Sequence, residues 1–383
     1  MGKNKRALIN ISCFIYKKIL RKGDVTLAIT SRFKFIGEAL IPKKQEDFIK
    51  EWMGGQNGKT KMKSLNFRIK ESERNAAAVD LFGSKTDVIK TKSVDGNNID
   101  VPWEERNQEE TLRAVAFNRK FIVNLGEPFE RKEFICSYDM IDYLSENLPN
   151  FKGKLVVTGT WEKNPYDGRF YDKFRINNVY AAKPEEKSKL ILTMDFFTNS
   201  ESVDMSDFKS EKKIRLDGFL SQYDRDKKKN VYMPQSVLLS AEKYDMENPK
   251  HVDRWNLLKK YAVDNLSKKK MKHLKWECRY INGSEEVEFD ESMLTSSQKQ
   301  MIELGFKTLD DFKPKGSIYG DKIREVRLFT PELTGQFADG LIECEETIAE
   351  FEENVFSFAP IEKLEDVLSV QTISEDDDEE DLF

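Results

Sequence analysis

Histidine and cysteine are scarce in this sequence of 383 residues, which contains two histidines and four cysteines. The cysteines are Cys13, Cys136, Cys278 and Cys344, and no two of them form a CxxC pair. Zinc sites and disulfide frameworks need such ligands at short, regular spacings, so neither is expected. This cysteine usage is typical of a protein in a reducing cytoplasm.

Enzyme motifs and membrane segments are also lacking. No P-loop, dinucleotide-binding, HExxH or GxSxG pattern is present, and KSVDG at 92–96 matches the KxDG of nucleic-acid ligases only with one residue too many. No apolar run approaches the roughly 18 residues that span a bilayer, and the lysine-rich start lacks the apolar core of a signal peptide. We therefore expect a cytoplasmic protein that is not an enzyme and contacts no membrane.

Isolated polar residues do not change this expectation. His251 and His273 have no neighbouring cysteine or carboxylate pattern that would indicate a base or a ligand. The acidic pairs Asp310–Asp311 and Glu285–Glu286 could hold Mg²⁺ only with further ligands that the sequence does not place. We expect no catalytic residue, no metal and no cofactor.

Charge is distributed very unevenly along the chain. The formal net charge is −5, yet residues 343–383 contain sixteen acidic residues and one lysine. The segment therefore carries about −15, and the remainder about +10, which suggests a polyanionic partner for the body. The end, SEDDDEEDLF, is expected to be disordered and to compete for the basic body, with its apolar tip docking into a partner protein. The residues assigned to this role are Asp376, Asp377, Asp378, Glu379, Glu380, Asp381, Leu382 and Phe383. A purely solubilising tail is the alternative.

The first half of the sequence predicts strands and one clear helix. A strand is expected within 29–42, a strand pair at 63–84, a helix that begins at Ser137 and stops before Pro149, and a long hairpin at about 155–180. The stretch 43–53 is interpreted as a helical insertion, and 85–120 as a polar insertion. This element order resembles the OB-fold, a five-stranded Greek-key barrel with a helix between its third and fourth strands.

The second half repeats the order. A strand at 189–198, a hairpin at 212–241, a helix at 253–266, a strand pair at 273–289 with a turn at NGS, a short helix at 296–305 and a last strand at 322–330 are predicted. The fold class is therefore mainly β with α, as two tandem OB-like barrels followed by a disordered acidic tail. The expected domains are 1–182, 183–340 and 341–383, with the first break in the charged linker 181–189.

Strand alternation assigns candidate nucleic-acid-binding residues. If the apolar residues of each strand face a core, the alternate bases and aromatic rings face outward, where bases neutralise phosphates and rings stack on nucleobases. The candidates are Arg32, Lys34, Arg68, Lys70, Tyr171, Lys173, Arg175, Lys213, Arg215, Phe219, Tyr223 and Tyr232. A plainer explanation is that lysines and aromatic residues are common on any half-buried strand. Recurrence on four strands of a basic body favours nucleic-acid binding.

The acidic end DDDEEDLF after barrel-like repeats resembles the single-stranded DNA-binding proteins of bacteria and phages. That resemblance implies barrels that coat and protect single-stranded DNA during replication, recombination and repair, and a tail that recruits partner enzymes. It also implies a single-stranded DNA partner and a host cytoplasm if a phage encodes the chain. Bacterial members have one barrel and a Pro-Phe end, whereas this chain ends in Leu382–Phe383.

Two other classes stay open: an assembly protein, such as a virion or scaffold component, that binds no DNA, and a replication-enzyme subunit with an OB domain. The sequence does not decide between DNA and RNA, identify the tail's partners, or fix the site size and oligomeric state. It also leaves open whether both barrels bind.

Overall fold

A computed structural model describes most of the chain after residue 30. The described residues are 31–55, 58–166, 169–224, 229–268, 271–284, 286–287, 289–313, 318–319, 323–331, 337–338, 341–342 and 348–351. The acidic end and its proposed contact residues lie outside them.

The described chain is mainly β-structure with short helices. The strands are β1 Arg32–Leu40, β2 Ile49–Gly54, β3 Thr60–Ser72, β4 Asn75–Ser84, β5 Val88–Lys92, β6 Asn98–Pro102, β7 Phe121–Asn124, β8 Lys132–Phe134, β9 Lys154–Tyr166, β10 Arg169–Ala181, β11 Lys189–Thr198, β12 Val203–Asp204, β13 Lys213–Asp224, β14 Lys229–Ser240, β15 Met271–Gly283, β16 Glu286–Val287, β17 Ile318–Tyr319, β18 Ile323–Pro331, β19 Phe337–Ala338, β20 Leu341–Ile342 and β21 Ile348–Phe351. The α-helices are α1 Gln45–Phe48, α2 Glu109–Ala114, α3 Ser137–Asn147, α4 Phe208–Glu211, α5 Pro249–Lys259 and α6 Ser296–Glu303.

Five strands of the first half close into a ring, here called the first barrel. β1 pairs with β3, β3 with β4, β10 with β9, and β9 with β1, all antiparallel. A parallel bridge from β4 to β10 closes the ring. Helix α3 lies in the chain between β4 and β9, and its Met140, Ile141 and Leu144 are fully buried. Inward residues such as Phe35, Phe67 and Ile176 alternate with outward polar ones, because successive strand residues point to opposite faces.

The second half closes a ring with the same connectivity, here called the second barrel. β11 pairs with β13, β13 with β14, β18 with β15, and β15 with β11, again antiparallel. The parallel bridge is now between β14 and β18. Helix α5 lies in the chain between β14 and β15, and it continues as a π-helical turn to Asp264. Each barrel thus has five strands, one parallel contact and a helix before its fourth strand.

The two barrels are joined strand to strand. The first part of β1 pairs antiparallel with the first part of β11, from Arg32 opposite Thr193 to Ile36 opposite Lys189. Beyond this stretch each of the two strands turns to the second strand of its own barrel. The junction is therefore approximately two-fold symmetric. Strands β10, β9, β1, β11, β15 and β18 form one continuous sheet across it.

The barrels also share a hydrophobic core, and Arg324 of the second barrel lies 3.8 Å from Asp172, which belongs to a buried ion pair of the first. A single cluster of buried side chains contains residues of both barrels, and the rings of Phe35 and Tyr280 stack across the junction at 6.2 Å. Lys163 Nζ lies 2.8 Å from Asp172 Oδ1, and both side chains are almost fully buried. The pKa of Asp172 is lowered: burial alone would raise it, but the charges of Lys163 and of the second barrel's Arg324 outweigh that effect. The hairpin β9–β10 is thereby fixed against the second barrel.

Two predicted elements differ from the structure, and a third contains elements that the sequence did not predict. The stretch 43–53 is not one helix, because α1 ends at Phe48 and the chain continues as strand β2. No turn occurs at NGS, since β15 runs through Asn282 to Gly283 as one strand. The polar insertion at 85–120 contains the separate β5–β6 hairpin and α2, whose small core is formed by Val101, Val115 and Ile135.

Candidate nucleic-acid interface

The outward face of β2, β3 and β4 presents an exposed aromatic pair. Trp52 lies opposite Met62, and Phe82 lies opposite Ser64, so their side chains share one face of the first barrel. The two ring centroids are 5.9 Å apart and tilted by 42°. Trp52 is 41% exposed and Phe82 is 40% exposed. We call Trp52, Met62 and Phe82 the aromatic platform; its rings and thioether offer a flat apolar surface to solvent.

The platform is held from behind by α3. Lys63 points to the other side of β3 and binds Glu51 of β2 and Asp142 of α3. Although burial alone would lower its pKa, these two carboxylates raise it, so Lys63 stays charged. Ser137 at the start of α3 donates a hydrogen bond to the carbonyl oxygen of Phe82 at 2.6 Å.

Gly83 permits this close packing. A Cβ at position 83 would lie 2.6 Å from the backbone of Tyr138 in α3. The strand that carries Phe82 therefore meets the helix backbone directly, and the ring of Phe82 is directed to the opposite, outward side.

Five of the sequence-derived candidates lie beside the platform on β3 and β10. Arg68 and Lys70 continue the outward face of β3, and Tyr171, Lys173 and Arg175 continue it on β10, where Arg175 lies opposite Asp80 of β4. Tyr171 is 41% exposed. The structure therefore brings these five residues onto the same side of the first barrel as the aromatic platform, and β2, β3, β4 and β10 form one surface of bases and rings.

Ion pairing separates these bases into two groups. Arg68 is exposed and forms no ion pair with any described residue. Lys70 is paired with Glu38 and Glu73, at 3.8 and 3.2 Å. Lys173 lies 3.5 Å from Asp80, and Arg175 lies 3.1 Å from Glu162. Arg68 is thus immediately available to a phosphate, whereas the others must exchange a carboxylate for it.

Asp80 is the acidic centre of this surface. Burial raises its pKa, and the nearby positive charges of Lys173 and Arg175 only partly oppose the rise. An anion that approached these two bases would meet the carboxylate of Asp80 as a repulsive charge, and would favour its protonated form.

Arg32 and Lys34 lie further round the barrel. Both are exposed on β1, and Arg32 lies opposite Thr160 of β9, which in turn lies opposite Arg175 of β10. Arg32 has no ion pair among the described residues, and Lys34 has only a loose one, 3.9 Å from Glu186. These two bases are outside the platform but in register with its basic neighbours.

The candidates of the second barrel are in a different environment. Lys213 is paired with Glu211 and Glu242, and Arg215 with Asp204 and Asp217, all at 3.2–3.6 Å. The negative charges at Glu325 and Glu242 raise the pKa of Lys213 although burial alone would lower it. Both bases are therefore neutralised within the protein, unlike Arg32 and Arg68.

The aromatic candidates of that hairpin are mostly covered. Phe219 and Tyr232 are only 7% and 6% exposed, contrary to the expectation that they lie open on the outer face. They pack with Phe197 and Met271 in a small separate cluster, and the ring of Phe197 stacks on His273. Phe219 lies opposite Phe197 of β11, whose ring meets that of Tyr232 at 5.1 Å, so these side chains bury one another, which strand alternation does not reveal. Tyr223 remains half-buried.

The described residues contain no group of three or more His, Cys, Asp or Glu side chains arranged to hold a metal ion. His273 lies 2.7 Å from Asp195, and the two belong to no such group among the described residues. Among the same residues, no helix is long and apolar enough to cross a membrane.

Sequence reasoning missed Trp52 and Phe82. Phe82 carries a detectable signal, since the buried phase of β4 is Ala77, Val79 and Leu81, and Phe82 is an aromatic ring in the polar phase. Trp52 gives no such signal, because the stretch 43–53 that contains it is predicted as a helix, and a helix has no strand alternation in which a ring could be out of phase. An exposed ring on a strand is informative only once the strand itself is recognised.

Comparisons with known proteins give little further information. No family model matches the chain, and no curated protein does. Among solved structures, a deletion mutant of the single-stranded DNA binding protein from Thermus aquaticus matches with 10% identity over 67% of this chain and 87% of its own, at a TM-score of 0.25. A similarity at this level does not by itself establish a shared fold or site.

Proposed function

We propose that this chain is a sequence-independent single-stranded DNA-binding protein, and that its two barrels are OB-like. The observation that supports this most is the surface formed by β2, β3, β4 and β10, where an exposed aromatic platform adjoins a group of bases. Any nucleobase can stack on an aromatic ring, and lysine and arginine side chains neutralise any phosphate. Such a surface therefore binds single-stranded DNA without reading its sequence.

The proposed binding mode has two parts. The unpaired nucleobases of a single strand stack on Trp52 and Phe82, and each stacked nucleobase contributes on the order of 1–3 kcal/mol to binding. Phosphates contact Arg68 directly, and Lys173 and Arg175 after these release Asp80 and Glu162. Duplex DNA keeps its bases stacked inside the helix, so the platform favours single strands.

The first barrel provides the main contact surface in this proposal. Its Arg68, beside the platform, is exposed and has no ion pair among the described residues, whereas Lys213 and Arg215 of the second barrel are each held between two carboxylates. Each phosphate contact there would have to replace two ion pairs, so we expect the second barrel to be the weaker contributor.

The wider role that we propose is the one implied by the resemblance of the sequence to single-stranded DNA-binding proteins. The protein would coat and protect single-stranded DNA during replication, recombination and repair in the cytoplasm of a bacterium or of a phage's host. It would act without a cofactor and without catalysis, and its acidic end at 374–383 would recruit partner proteins. The joined barrels favour a monomer or a small oligomer as the working unit.

The test is a fluorescence-polarisation titration with labelled oligo-dT, duplex DNA and single-stranded RNA at several salt concentrations. We expect oligo-dT to bind more tightly than duplex DNA, with an affinity that falls steeply as salt rises. Equal or tighter duplex binding would contradict the proposal, and no binding to any probe would favour an assembly role. The RNA titration determines the preferred nucleic acid.

A further inference from the structure

The sheet that joins the two barrels presents basic and hydroxyl side chains on its outer face. Strand register places Arg175, Thr160, Arg32 and Thr193 in one row across β10, β9, β1 and β11. The next row along β1 contains Thr158, Lys34 and Ile191. Opposite residues of paired strands share a face, so these bases and hydroxyl groups lie on one surface.

The row connects the first barrel's platform side to the junction. Arg175 is opposite Asp80 on β4, the strand that carries Phe82, and Arg32 is two strands further on. With strands about 4.8 Å apart, the backbones at Arg175 and Arg32 are separated by about 10 Å, and Arg32 and Lys34 by about 7 Å along β1. The spacing is short enough for long basic side chains to form a continuous path.

The bases on this path are accessible. Arg32 is exposed without an ion pair among the described residues, and the carboxylate of Glu186 is 3.9 Å from Lys34. The threonines of these rows are half-buried, and a threonine hydroxyl is a group that can donate a hydrogen bond to phosphate. An apolar face would be expected here if the sheet stacked on another sheet; a face of bases and threonines instead suits a solvated polyanion.

We propose that single-stranded DNA bound on the aromatic platform continues past Arg175 and over the junction, where its phosphates contact Arg32 and Lys34. This inference rests on the proposed function. It adds an extension of the site that only longer strands reach. A short strand that fills the platform would not contact the junction.

The test compares two probe lengths with one double variant. Arg32→Gln with Lys34→Gln removes both charges but keeps much of the side-chain stems. Its affinity is measured for oligo-dT of about 8 nucleotides, within the roughly 4–16 that one OB fold covers, and of about 30 nucleotides. The matched control is Lys90→Gln with Lys92→Gln, two exposed lysines at the same spacing on β5, outside both barrels.

We expect the Arg32/Lys34 variant to bind the short probe like the unmodified protein. For the long probe, the slope of log K against log salt should become shallower by about 1.4, which corresponds to two phosphate contacts on a single strand. The control variant should change neither probe, and thermal melting should show that both variants fold.

Two outcomes would overturn the extension. An equal loss for both probes would place Arg32 and Lys34 inside the short site, and no loss for either would remove them from the path. Failure of the proposed function is distinct, because the unmodified protein would then bind neither probe, or would bind duplex DNA at least as tightly as oligo-dT.

Discussion

Replacing Trp52 by alanine tests the platform directly. The ring is 41% exposed on an edge strand and meets Phe82 at 5.9 Å, so its removal deletes a stacking surface without opening a cavity. Cross-strand contacts of this kind contribute about 0.2–1 kcal/mol to stability, so the folded state should persist. Any loss of binding therefore reports on the site.

The expected loss of affinity depends on the apolar side chains that stay on the platform when Trp52 is removed. Stacking of one base on a ring contributes about 1–3 kcal/mol. Because Phe82 and Met62 stay in place, a displaced base keeps part of its apolar contact, and a loss near the lower end, about 1.4 kcal/mol, is expected. That corresponds to about tenfold weaker binding of oligo-dT. The salt dependence should not change, because no phosphate contact is removed.

The assay can use the protein's own fluorescence. The chain has five tryptophans, all within the described residues. The four besides Trp52 are each 6% exposed or less: Trp103, Trp161, Trp255 and Trp276. Fluorescence quenching by an added single strand should therefore arise mainly from Trp52, and most of it should disappear in Trp52→Phe, while binding is largely retained.

A matched control is Phe306→Ala. Phe306 is 73% exposed in the connection between β15 and β18, whose described strands β16 and β17 pair with each other and not with a platform strand, so Phe306→Ala should leave oligo-dT affinity unchanged. The reasoning is refuted if Trp52→Ala binds within about twofold of the unmodified protein, since that is below 1 kcal/mol, or if Phe306→Ala loses as much.

Other predictions concern charge. Asp80→Asn should tighten oligo-dT binding at low salt, and in the unmodified protein affinity should rise as pH falls toward the raised pKa of Asp80, a dependence that polarisation titrations of the variant should lack. Asp172→Asn leaves Lys163 buried without its partner and should cost about 3–5 kcal/mol in urea unfolding at neutral pH. The pKa of Asp172 is lowered in the folded state, so its stabilisation is present above the unfolded value near 3.9 and is lost as pH falls through the folded value; the deficit should shrink in acid. Deleting 374–383 should tighten binding at low salt and abolish partner capture in pull-downs, whereas deleting Phe383 alone should affect only capture; unchanged binding and capture would indicate a solubilising end.

Strand periodicity predicted much of the local structure. Phe33 and Phe35 on β1, and Leu65 and Phe67 on β3, are buried as their alternation indicates. Helix α3 spans Ser137–Asn147, close to the predicted range. These elements could be recognised because one face of each is apolar and the other polar, which is a local property of the sequence.

The errors occur where a distant partner decides the local structure. Residues 49–54 are a strand because β3 offers them an edge, from Ile49 opposite Leu65 onward. The NGS segment is not a turn because Gly283 has a φ of +153° and pairs with Asn75 of the first barrel. A Cβ at position 283 would lie 1.6 Å from the carbonyl oxygen of Arg74, so glycine serves this contact rather than a hairpin.

The site shows the same limit in its electrostatics. Arg68 and Arg215 are equivalent in sequence terms, since each is a base between buried apolar residues on the second strand of its barrel. In the structure, β12 pairs with β13 and places Asp204 opposite Arg215, and Asp217 completes a second ion pair. Arg68 lies opposite Ala78 and Leu40 instead, so no acid is directly opposite it on either strand. Strand alternation determines the direction of a side chain, but its cross-strand neighbours determine whether its charge is available to a ligand. Those neighbours favour the first barrel as the place where a phosphate binds.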